Sequence, residues 1–243
     1  MMQHLRRIGF GLFATLAIFG AVGQAPAVAQ ERFEVSSIKA VRPTLVDTIA
    51  ALQQRDVARA KAAFEAYDSG WNGIETYINV RSRDMYQVLE HGFQARITKA
   101  LESSNPDMPA LLADAQAMLA KYDEAIALVA KAPPLNPLYD DVARLRIVRA
   151  HLREVPPALK AGNIAKARKS FEAFDDAWFN IEDFVRSRSL DAYVTIERGM
   201  VRIEEALMPD QPDLAQVMAL VGGVMNEYNA VVAELQKEAR GRK

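Results

Sequence analysis

Six acidic side chains recur at matched positions along this chain: Asp68, Glu75 and Glu90, then Asp175, Glu182 and Glu197. Each trio brackets a tryptophan, Trp71 or Trp178, and precedes or follows a tyrosine, Tyr86 or Tyr193. With 100° of rotation per residue, Asp68 and Glu75 fall within about 40° of Phe64, on the arc that also holds Tyr67, Trp71, Ile74 and Ile78. Glu90 likewise shares a face with Tyr86, Leu89, Phe93 and Ile97. The expectation is therefore six carboxylates facing the apolar side of helices. A desolvated carboxylate needs a hydrogen bond, an ion pair or a cation. Two chemistries meet that need. In one, Arg81 and Arg188 pair with the glutamates while Tyr86 and Tyr193 donate hydrogen bonds. In the other, each trio forms an oxygen-rich site for a hard cation, as facing helices of a bundle can do.

These residues sit in a repeat. Residues 56–90 align with 163–197 at an offset of 107, and 14 of 35 positions are identical, which marks the retained residues for a specific role. Pro106, Asp107 and Tyr122 match Pro212, Asp213 and Tyr228 at an offset of 106, so one residue of slippage lies between Glu90 and Arg96. Gly92 and Gly199 also correspond, and are expected to allow close helix approach or bending.

Apolar residues recur at helical spacing almost throughout, and alternating strand-like runs are missing. The chain reads as all-α. Helices are expected over 36–54, 56–79, 82–103 and 108–131, and again over 138–161, 163–186, 189–207 and 213–238. Asn105-Pro106-Asp107, the Pro133-Pro134 and Pro137 linker, and Pro209 with Pro212 supply the breaks. The predicted architecture is two tandem four-helix, up-and-down bundle-like repeats, 36–135 and 136–240, related by duplication.

The start of the sequence bears on location. Arg6-Arg7, the apolar stretch 8–22 and Ala27-Val28-Ala29 form a secretory signal peptide, expected over residues 1–29, which places the mature protein in the periplasm with no membrane span. Cysteine is absent, which removes disulfides, thiol nucleophiles and thiolate metal sites. Loss of the leader with its two arginines leaves 28 basic against 31 acidic residues, and this mixed, mildly acidic balance argues against nucleic acid. His91 and His151 lie outside the repeat pattern, opposite Arg198 and Thr44, so neither zinc nor a ferritin-like di-iron centre is expected. No phosphate loop, nucleophile elbow or His-Glu-x-x-His motif is present, so catalysis is not expected.

The pattern Trp71-x-x-Ile74-Glu75 with Tyr86-x-x-x-Glu90 recurs as Trp178-x-x-Ile181-Glu182 with Tyr193-x-x-Ile196-Glu197. Here the chain resembles the extracytoplasmic helical domains attached to bacterial permeases of the oxidase-dependent iron transporter family, over the middle two helices of each repeat. The resemblance implies iron supply to a membrane permease, with Glu75, Glu90, Glu182 and Glu197 in metal contact. The sequence departs from that family in having no membrane domain and no Arg-Glu-x-x-Glu conduction motif, which leaves delivery, storage or regulation. The expected cargo is iron or another hard cation, and the expected partner a membrane iron permease or another periplasmic protein. A rival expectation is a structural or protein-interaction module whose carboxylates form internal salt bridges.

Overall fold

The structure is a computed structural model that describes residues 31–241, so the expected leader lies outside the described residues. The fold is all-α, with no strand among the described residues. Helix α1 spans Phe33–Gln53, α2 Val57–Asn79, α3 Arg83–Gln87, and a π-helical segment Val88–Gln94 leads into α4, Ala95–Leu101, and α5, Met108–Lys131. The second half comprises α6 Leu138–Arg153, α7 Val155–Lys160, α8 Ile164–Trp178, α9 Glu182–Arg188, α10 Leu190–Leu207 and α11 Leu214–Gly241. No helix of the described residues is long and apolar enough to cross a membrane.

Local chemistry explains the boundaries, and it does so in pairs. The carboxylate of Asp56 accepts from Arg59 N at 3.0 Å, and the amide oxygen of Asn163, 107 residues on, accepts from Lys166 N at 2.9 Å. Ser82 and Ser189 cap α3 and α10 by accepting from Met85 N and Ala192 N, both at 3.2 Å. Asp107 and Asp213 do the same at 3.1 Å for Ala110 N and Gln216 N. The turn into α2 puts Arg55 in the left-handed region at φ 57°, and the turn into α8 puts Gly162 there at φ 69°. In both turns the next amide reaches back to a helix carbonyl at 2.9 Å, Asp56 N to Ala51 O and Asn163 N to Ala158 O.

Three expected helices are interrupted. Pro156 and Pro157 lack the N–H groups that would continue α6, so the expected 138–161 splits into α6 and α7. The expected 163–186 breaks after Trp178, where Ile181 N bonds Trp178 O at 2.8 Å in a tightened turn and α9 begins anew. Its counterpart α2 runs on through the same positions, lying between α1 and α6. An alanine Cβ at Gly73 would come 2.6 Å from Ile147 Cγ1 on α6, so the glycine permits this close crossing. Where α2 has Asn72 and Gly73, the second half has Phe179, 76 % exposed, and Asn180. The expected 82–103 becomes α3, the π segment and α4, because the first half carries one residue more there.

Two apolar cores result. Trp71, Tyr67, Tyr122 and Ile38 anchor the first, and Trp178, Phe174, Tyr228 and Leu145 the second. Helix α6 serves both, sending Tyr139 and Ala143 into the first core and Val142 and Leu145 into the second. Tyr122 Oη donates to Ile38 O and Tyr228 Oη to Leu145 O, both at 2.7 Å, which satisfies two buried hydroxyls in the same way.

Candidate functional site

Trp71 and Trp178 are the largest fully or nearly fully buried side chains, and each aims its indole N–H at a repeated glutamate. Trp71 Nε1 donates to Glu90 Oε2, and Trp178 Nε1 donates to Glu197 Oε1 at 2.5 Å. Each indole is held between two rings. Trp71 stacks on Tyr67 at 5.9 Å and Tyr86 at 6.3 Å, while Trp178 stacks on Phe174 at 6.4 Å and Tyr193 at 6.5 Å. The tyrosines expected to donate hydrogen bonds thus serve as stacking walls.

The other carboxylates differ between the halves. Asp68 Oδ1 accepts from Gln94 Nε2 at 2.5 Å, which ties α2 to the π segment. Glu75 pairs with Arg146 of α6 at 2.8 Å across the contact between the halves. Asp175, expected on the apolar side, is exposed, because it lies on the outer edge of the short α8. Glu182 is half-buried in the first turn of α9, where the helix N-terminus favours a negative charge.

The expected arginine partners correct in detail. Arg81 Nη2 donates to Glu34 at 2.6 Å, with further bonds to the carbonyls of Tyr77 and Pro133, and Arg188 pairs with Glu238. Arg81 lies in the turn after α2 and Arg188 ends α9, so packing carries each to a chain end of its own half. The repeated glutamates consequently lack them. Burial raises the pKa of Glu90, with Glu75 and Asp68 adding repulsion against the Trp71 hydrogen bond and His91. Partial desolvation likewise raises Glu182, with help from Glu197 and Asp183, and, although its side chain is largely exposed, Asp175, with help from Glu204, Asp176 and Glu197. Like charge is therefore crowded around each tryptophan. Among the described residues, no group of three or more His, Cys, Asp or Glu side chains converges to hold a metal.

Residues outside the expected set complete the picture. Tyr67, Gln94 and Arg146 contact or surround the first trio, and Glu154 bridges the halves by accepting from Ser69 Oγ at 3.2 Å and Ser170 Oγ at 3.3 Å. Glu154 and Asp68 line a groove of about 900 Å³ between the halves, together with Glu65, Glu102, Arg153 and Lys166. The one-residue slip near Gln94 was the available signal for that residue. The outlying glycines also separate. A Cβ at Gly199 would lie 2.3 Å from Val224 Cγ2, whereas one at Gly92 would meet nothing nearer than 3.8 Å. Close approach explains Gly199 only. His91 is exposed and sits edge-on to Tyr86 at 5.7 Å. No family model, curated protein or solved structure matches this chain.

Proposed function

We propose that the chain is an exported, non-catalytic helical binding protein that handles a hard cation, iron by the resemblance, for a membrane permease or another periplasmic partner. One observation carries this reading: Glu90 beside Trp71, and Asp175 and Glu182 in the second half, have pKa raised by desolvation and like charge, and among the six only Glu75 is ion-paired with an arginine. Crowded carboxylates repel, and a bound cation relieves that repulsion. Oxygen-only donors suit hard cations over soft ones.

A second reading has its own support. Glu90, Glu197, Asp68 and Glu75 each accept from a side chain of the protein itself, which is the arrangement of a structural or protein-interaction module. A thermal melt separates the two, because a ligand that binds the folded state raises Tm by mass action. The protein is melted with and without ferric citrate, manganese and calcium. The cation reading predicts a rise that grows with concentration for at least one of them. Unchanged melts in all three, with no heat of binding by calorimetry, would leave the interaction module.

A further inference from the structure

The two halves differ in polarity beside Trp71. The position of Tyr67 is held in the second half by Phe174, and Gln94 lies where the first half has its extra residue, opposite Met200 and Val201. Of the buried side-chain atoms without a hydrogen-bond partner, two lie at these differing positions, Tyr67 Oη and Gln94 Oε1. Tyr67 is 0 % exposed and Gln94 8 %. Buried orphans of this kind are rare in native proteins.

Both orphans belong to the acidic cluster. Gln94 Nε2 donates to Asp68 Oδ1, which fixes the amide and leaves its carbonyl oxygen as the open acceptor. Tyr67 immediately precedes Asp68 and stacks on Trp71, whose indole holds Glu90. Its hydroxyl lies within the fields of Glu90, Asp68 and Glu75, which add to burial and to Tyr122 in raising its pKa. Glu90 and Gln94 both project from the π segment Val88–Gln94, a geometry that recurs at functional sites. Asp68 also lines the groove between the halves, which gives the cluster a route to solvent.

We propose that the first half alone binds one hard cation between α2 and the π segment, with Asp68, Glu90, the Gln94 carbonyl and the Tyr67 hydroxyl as its oxygen donors. The second half keeps the Trp178 and Glu197 scaffold without the neutral donors. This inference rests on the cation-handling reading and locates it. A water could bridge the two orphans, but it would leave the negative charge of Asp68 and Glu90 in place; a cation answers both needs. Carboxylate, carboxamide and hydroxyl oxygens form the donor set that hard cations take.

The test is calorimetric titration of the intact protein with terbium(III), a hard oxygen-seeking probe, alongside Tyr67→Phe and Gln94→Met, which import the second half's residues. Asp68→Asn is a third variant, read if either of these loses its cooperative melt. The expected result is one ion per chain, an affinity at least about tenfold lower in each first-half variant, and no change in Glu172→Gln, an exposed carboxylate of α8. Binding that is unaffected by the first-half variants, or two equivalent ions per chain, would overturn the location while leaving cation handling intact. No binding by the parent to terbium, manganese or ferric citrate would overturn both.

Discussion

The first and second halves hold the same tryptophan in the same way and then diverge in what surrounds it. In both, an indole N–H meets a glutamate 19 residues later, and a tyrosine from the last helix meets a carbonyl of the first. These shared contacts bury a large ring and satisfy its polar edge. Around that frame, α2 is continuous and covered by α6, whereas α8 stops at Trp178 and leaves Phe179 in solvent. Tyr67 and Gln94 make the first surround polar; Phe174 and Met200 make the second apolar. A packing frame can thus be kept while its lining changes, so residues retained in both halves report the frame and residues that differ report what each half does.

The sharpest way to break that comparison uses the matched glycines. Gly199→Ala should cost about 1–3 kcal/mol, because its Cβ would press on Val224 in a packed core. Gly92→Ala should be neutral or stabilise by up to about 1 kcal/mol, since the site has room and alanine restricts the unfolded chain. Urea melts of the two variants measure the difference. Equal losses would mean that both glycines serve close packing.

The matched glutamates should differ next. Glu75→Gln removes the charge facing Arg146, a half-buried partner, and should destabilise by about 1–2 kcal/mol. Glu182→Gln removes a carboxylate crowded by Glu197 and Asp183, and should stay within about 0.5 kcal/mol of the parent or gain stability. Chemical denaturation at neutral pH without added metal reads both. A large loss in Glu182→Gln would reveal an essential partner for that carboxylate.

The helical fold was legible because apolar spacing and proline breaks are local signals, and the expected ends of α2, α5 and α10 lie within a residue or so of those observed. The site was legible in part. Glu90 meets Trp71 and lies within the fields of Asp68 and Glu75 without the three converging into one group, and their partners come from non-local packing. Arg146 reaches Glu75 only because α6 crosses α2 at Gly73, a contact between distant segments. The register slip was visible, yet its structural form was not. Leu89 and the Trp71–Glu90 bond hold the register before it and the buried Ile97 and Leu101 hold it after, so the extra residue is taken up as π-helix between them. Nothing in local sequence marks the break at 179–181, which depends on what lies over the helix.

Smaller effects sharpen the comparison at the turns. Gly162→Arg should cost about 1 kcal/mol, because a side chain enters the left-handed region, and Arg55→Gly should recover a similar strain less the entropy of an added glycine. Thermal melts of the single variants and of the double swap measure it. Opposite signs for the singles are expected, with near-cancellation in the double.

The smallest effect is a pH dependence set by Glu90. Glu90 has a folded pKa above its ordinary 4.5, so the folded state holds its proton more tightly than the unfolded state. That stabilisation is complete below pH 4.5 and is lost as pH rises through the folded pKa. Glu90→Gln, which can still accept from Trp71, should therefore gain in Tm relative to the parent as pH is raised from about 4.5 to neutrality. A gap between the two that does not change with pH would contradict the burial of that charge.

The most direct test of the central claim, a single cation site in the first half, is an anomalous difference map from crystals of the protein grown with terbium(III). One peak is expected between α2 and the π segment, within bonding distance of Asp68, Glu90, Gln94 and Tyr67, and none beside Trp178. Peaks of equal height in both halves, or a first-half cluster with only water between Tyr67 and Gln94, would contradict it.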